Sequence, residues 1–149
     1  MRARTAAMLG IACAVAVGAV AFARRHGSGE SRAVETTRVV RLVRRDRIGL
    51  PEKKGMVRDP AHVRSLTQAL GVDEHAAAPC PPDYADADLG IVLSGSDVYE
   101  RRNVYVFGLL GDAGSVPQVV SVTSAGCRVG PPTDLASLRR ELTAAGVVD

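Results

Sequence analysis

In the stretch "DPAHVRSLTQALG", apolar residues Val63, Leu66 and Leu70 recur at i, i+3 and i+7, with polar residues between them. That spacing puts them on one stripe and predicts a helix. Asp59 can cap its free N–H groups, Pro60 suits the first turn where no donor is needed, and Gly71 can take the left-handed stop. The same spacing returns at Leu135, Leu138 and Leu142, with Thr133 or Asp134 as cap and Gly146 as stop. Between the helices lie "DLGIVLSG", "NVYVFGLLG" and "VPQVVSVTS", each rich in Val, Ile, Tyr or Phe and closed by Gly, Ser or Asp. These read as strands. The segments "SDVYERR" and "DAGSVP" are of hairpin length, so an antiparallel meander is the economical assembly.

Upstream, "TTRVVRLVRRDRIG" has two readings. As a strand it has the right β-branched composition. As a helix it gathers Val39, Val40, Leu42 and Val43 on one side and Arg38, Arg41, Arg44 and Arg45 on the other, the layout of a basic interfacial helix. The strand is preferred for residues 37–48, because Val and Thr dominate and "GLPEKKG" reads as a turn leading to a short strand around Met56 to Arg58. In this reading the arginines form a solvated sheet face. The expected fold is α+β: a small antiparallel sheet in β-β-α-β-β-β-α order with two helices on one face.

The 149 residues suffice for one modest domain. Before it, Arg2 and Arg4 precede an uncharged apolar run from Ala6 to Ala23, and "AFA" (Ala21, Phe22, Ala23) fits the small-x-small rule for signal cleavage. Arg24 and Arg25 follow at once, which suits a membrane-stop flank, and the run just suffices to span a bilayer. Two readings stay open for residues 1–23: a signal peptide cut after Ala23, or a retained N-terminal anchor. Residues 24–35 then read as a flexible tether and residues 36–149 as the domain. The expected location is extracytoplasmic, secreted or held at the cell membrane by one N-terminal helix. Both flanks of the run carry arginines, so charge does not fix its orientation. The net charge of +3 falls to +1 without Arg2 and Arg4, which argues against nucleic acid as partner. With no Trp and 3% aromatic residues, the chain also offers little stacking surface for bases, sugars or flavins.

Cysteine usage is the sharpest chemical signal. Of the 3 cysteines, Cys13 lies in the apolar leader, leaving Cys80 and Cys127 as an even pair in an exported domain. A disulfide is the expectation there. Closing a loop of nearly fifty residues is worth about 4 kcal/mol by chain entropy. A nucleophilic Cys80 would need His62 or His75 as base, and an obvious covalent partner makes that reading poor. Zinc would need about four ligands at paired short spacings, and neither CxxC nor HxxxH occurs. Asp83, Asp86 and Asp88 lack the glycine and distal glutamate of a calcium loop. No phosphate-binding loop, dinucleotide fingerprint or GxSxG is present. No catalytic residue, metal or cofactor is therefore assigned.

"DPAHVRSLTQAL", "CPPDY" and the Gly126–Cys127 pair together resemble a loosely defined set of small exported proteins of high-GC bacteria, over roughly Val57 to Val129. In that set a helix opening on Asp-Pro precedes a Cys-Pro-x-Asp element, and Gly-Cys closes the strands that follow. The resemblance supports pairing Cys80 with Cys127 and carries no activity with it. The segment "DVYERRNVYVFGLL" departs from the pattern. The resulting expectation is a non-enzymatic binding or envelope-associated domain with an unidentified protein or envelope partner, and contact with the membrane through the N-terminal segment if it is kept. The rivals are an extracellular protease inhibitor presenting the "PCPPDY" loop, and a hydrolase using His62 or His75 with a serine or aspartate.

Overall fold

A computed structural model describes residues 33–46, 48–96, 100–112 and 114–149. The expected leader, the cleavage point at Ala23, Cys13, and the tether as far as residue 32 with His26 lie outside these residues. One compact unit runs from Arg32 to Asp149. The last part of the expected tether belongs to it, because Ala33–Thr36 forms a helical turn, α1, whose Ala33 is buried against the core.

The preferred strand reading of residues 37–48 holds: Val39–Arg45 is β1, with Val40 and Leu42 buried and Arg41 between them exposed. The strand's period of two puts Val40 and Leu42 on one face and Arg41 on the other. The supposed turn "GLPEKKG" is mostly strand, since β2 spans Pro51–Val57 and pairs antiparallel with β1. Its polar composition reflects its position at the sheet edge, where Pro51, Lys53 and Lys54 discourage further pairing. The tight reversal is made instead by Asp46, whose carboxylate accepts the Ile48 and Leu50 N–H groups.

Helix α2 spans Pro60–Leu70, capped by Asp59 and stopped at Gly71 with φ 66°. Then come β3 (Ala76–Ala78), β4 (Leu89–Ser94), β5 (Arg101–Phe107), β6 (Gln118–Thr123), β7 (Gly126–Gly130) and α3 (Leu135–Ala144). Two strands exceed the expected order. "GCRVG", not assigned a strand of its own from the sequence, is β7, because the Thr123 hydroxyl bonds the Gly126 carbonyl and closes a tight hairpin with β6. The three alanines after His75 form β3, too short to show any alternation.

The seven strands form one sheet in the order β2-β1-β4-β5-β6-β7-β3, antiparallel at every neighbour. Val40, Leu42, Leu89, Ile91, Leu93, Val104, Val106 and Val119 line one face, and the stripes of α2 and α3 close over it through Val63, Leu66, Leu70, Leu138 and Leu142. Both helices therefore lie on one face, as expected for an α+β sandwich. Close approaches set where the helical layer meets the sheet: a Cβ on Gly55 would come within 2.9 Å of the Ala145 carbonyl oxygen, and one on Gly130 within 2.7 Å of the His75 ring.

The connection from β3 to β4 has to bypass three strands. β3 lies at the far edge beside β7, whereas β4 lies between β1 and β5. Residues 79–88 make this crossing on the face opposite the helices, as a strap over β7, β6 and β5. Val120 shows the effect: adjacent to core residue Val119 and so on the opposite face, it is nevertheless buried.

Candidate functional site

Three points hold the strap down. Cys80 is joined to Cys127 of β7 by the expected disulfide, with Cα atoms 5.0 Å apart. Tyr84 stacks on Tyr105 of β5, ring centroids 4.2 Å apart, and its hydroxyl donates to Cys127 Sγ at 3.4 Å. Arg45 of β1 donates from its guanidinium to the Tyr84 carbonyl at 2.7 Å and lies 5.9 Å from the Tyr105 ring centroid. The prolines around Cys80 remove backbone donors that an unpaired crossing could not satisfy, and they limit its freedom. The segment around Cys80 is thus a cover on the sheet.

The histidines are not brought together. His75 is buried, bonds the Pro131 carbonyl through Nε2 at 2.9 Å, and leaves Nδ1 without a partner among the described residues. His62, at the start of α2, bonds Glu141 of α3 at 2.7 Å. Its pKa is raised, first by that hydrogen bond and then by the Glu141 charge. Burial pushes the Glu141 carboxyl up, but hydrogen bonds from His62 and Ser65 and the His62 charge outweigh it, and the pKa is lowered. Ser65 and His62 both point at the carboxylate. A nucleophilic triad needs the imidazole between hydroxyl and carboxylate, and here the carboxylate lies between the other two. The arrangement works as a clamp between α2 and α3.

Two of the three aspartates of "DYADAD" are spent on the chain itself. Asp83 accepts the Ala85 N–H in a local turn, and Asp88 accepts the Leu110 N–H of the β5–β6 connection. Among the described residues no group of three or more potential ligands could hold a metal ion. A cleft of about 420 Å³ opens between α1 and α2, lined by Glu35, Arg38, Arg64 and Gln68 above Val34 and Val63; neither histidine nor cysteine lines it.

The strap covers only part of the helix-free face. Beyond Tyr105 the ladder register lays out three rows: Val39, Ser94 and Arg101; Met56, Arg41, Val92 and Asn103; Lys54, Val43, Gly90 and Tyr105. Arg41, Lys54 and Arg101 are exposed, and their side chains make no ion pair or hydrogen bond among the described residues. No carboxylate occupies any position of these rows. With strands about 4.8 Å apart and same-face residues about 6.8 Å apart along a strand, the three cations form a diagonal on the order of 20 Å long. Met56, 48% exposed, lies beside Arg41. The sequence shows the arginines of β1 as a solvated face through the alternation of Arg41, Val43 and Arg45 with Val40 and Leu42. That Lys54 and Arg101 join Arg41 from other strands is a property of the ladder register and leaves no local signal.

Searches against protein-family models, curated proteins and solved structures found no match to this chain. Among the described residues no helix is long and apolar enough to cross a membrane.

Proposed function

We propose that this is a non-enzymatic envelope domain that lays its uncovered sheet face against an anionic membrane surface. The observation that carries the reading is the array of Arg41, Lys54 and Arg101 on one sheet face with no carboxylate among them. An open sheet face suits a lipid surface, which offers distributed negative charge, better than a small ligand, which needs a concave site.

Magnitude decides what such a face can do. Each basic residue near an anionic surface contributes about 1 kcal/mol, so three supply roughly 3 kcal/mol, too weak to recruit a free protein. The same energy is enough to orient a domain already kept at the membrane, where a short tether raises the local concentration to about the millimolar range. The apolar run Ala6–Ala23, if retained as an anchor, would supply that tether. The order of Ser65, Glu141 and His62, which is not that of a triad, and the separate environments of His62 and His75 support a role without catalysis. The inhibitor reading draws less support, because Tyr84 and the disulfide hold the "PCPPDY" segment flat on the sheet, whereas a protease-binding loop has to stand clear of its scaffold.

The test is footprinting of the full chain reconstituted in vesicles of phosphatidylcholine alone or with one third phosphatidylglycerol. Acylation of Lys54, followed by peptide mass spectrometry, is expected to slow several-fold in the anionic vesicles. The protection should vanish at about 1 M salt, where the screening length is near 3 Å, and in an Arg41→Glu/Arg101→Glu variant. Equal Lys54 labelling in the two lipids overturns the reading.

A further inference from the structure

The two cysteines of the strap disulfide differ in exposure. Cys80, in the strap, is exposed, whereas Cys127, set in β7 beneath it, is 2% exposed. Exchange requires a thiolate to approach the sulfur it attacks from the side away from the other sulfur. For Cys80 that path comes from solvent, and for Cys127 it would pass through the sheet.

We propose that Cys80 is a modification site, the sulfur at which this disulfide exchanges with an external thiol, and that Tyr84 is the positioning residue for the step. The thiolate bonds to Cys80 Sγ, the Cys80–Cys127 bond breaks, and its electron pair leaves on Cys127 Sγ. The Tyr84 hydroxyl, already donating to that atom at 3.4 Å, stabilises the departing thiolate, which then takes a proton from solvent. When the attacking molecule is a dithiol, its second thiolate attacks its own sulfur in the mixed disulfide and expels Cys80 as thiolate. The external dithiol is oxidised to a disulfide and the domain's disulfide is reduced to two thiols. The partner class is therefore a protein dithiol acting outside the cytoplasm.

Release of Cys80 leaves the strap held by the Tyr84 stack on Tyr105, by the Tyr84 carbonyl bond to Arg45, and at its end by Asp88, whose carbonyl accepts the Arg45 N–H and whose carboxylate accepts the Leu110 N–H. Val120 and Val122 of β6 then become accessible. Val120 adjoins the row that ends in Tyr105.

The test treats the folded, oxidised full chain with glutathione, quenches with an alkylating reagent, and maps the products by peptide mass spectrometry. The expected species carries glutathione on Cys80 and the alkyl label on Cys127. Glutathione on Cys127, an equal split, or no adduct on folded protein when the urea-unfolded chain reacts, overturns the proposal. Tyr84→Phe keeps the ring stack and removes only the hydroxyl. It is expected to slow exchange at Cys80 several-fold and to raise the pH at which Cys127 becomes alkylated once Cys80 is capped. An unchanged rate and unchanged alkylation profile remove Tyr84 from the step, and cooperative urea unfolding of the oxidised variant checks that the fold is kept.

Discussion

Tyr84, from the strap, lies nearly parallel to Tyr105 of β5, with an angle of 25° between the rings and 4.2 Å between their centroids. This contact joins a segment without secondary structure to the centre of the sheet, in a chain with few aromatic residues. An offset aromatic pair contributes about 1 kcal/mol beyond the area it buries. Tyr84→Ala should therefore cost roughly 2 kcal/mol in urea unfolding, since half-buried ring area is lost as well. Tyr84→Phe should stay within about 1 kcal/mol.

The disulfide acts on the unfolded chain. Its partners are 47 residues apart in sequence, and closing such a loop is worth about 4 kcal/mol by chain entropy. The Cys80→Ala/Cys127→Ala double variant should lose about that much stability in urea. A loss under about 1 kcal/mol would mean that Tyr84 and Arg45 hold the strap almost unaided.

The His62–Glu141 clamp gives stability a pH signature. His62 has a raised pKa, so its contribution is full below its ordinary value of 6.5 and fades as pH rises through the folded value. Glu141 has a lowered pKa, so its contribution is full above 4.5 and fades as pH falls through the folded value. The two overlap between about pH 4.5 and 6.5. Urea unfolding from pH 4 to pH 8 should show the difference between the native chain and His62→Ala largest inside that window. A pH-independent difference would mean that the pair contributes by packing alone.

Gly55 tests the meeting of sheet and helix layer. The β1–β2 register pairs it with Leu42, so it faces the helical side, and an added methyl would lie 2.9 Å from the Ala145 carbonyl oxygen. That oxygen is backbone, so the end of α3 would have to move. Gly55→Ala is expected to cost about 1–3 kcal/mol as overpacking, read as a lowered thermal midpoint. At Gly126, where a Cβ meets nothing within 4 Å, the cost would come from its φ of 131° alone.

The cap of α2 offers a local comparison. Asp59 accepts the N–H groups of Ala61 and His62. Asp59→Ala should cost about 1 kcal/mol. Asp59→Asn keeps the acceptor and should recover most of it, as thermal denaturation would show.

What the amino-acid order determined by itself is the short-range part of this protein. Both helices, the Asp59 cap of the first, the three meander strands and the pairing of Cys80 with Cys127 follow from periodicity, from hydrogen bonds within a turn, and from an even count of cysteines, and β-branched composition favours a strand over a helix for β1. Those effects act between residues a few positions apart, or need no geometry. The strands β3 and β7 did not show, because three alanines and "GCRVG" carry no alternation and become strands only by pairing with each other and with β6. The course of residues 79–88 was likewise set by strand order: with β3 at one edge and β4 inside the sheet, the connection had to cross the open face, and Tyr84, Arg45 and Cys127 meet there from distant parts of the chain. The cationic face has the same origin. Arg41, Lys54 and Arg101 belong to three strands, and it is the ladder register, a long-range property fixed by burial of Val40, Leu42, Ile91 and Val104 beneath the helices, that turns all three toward the same side.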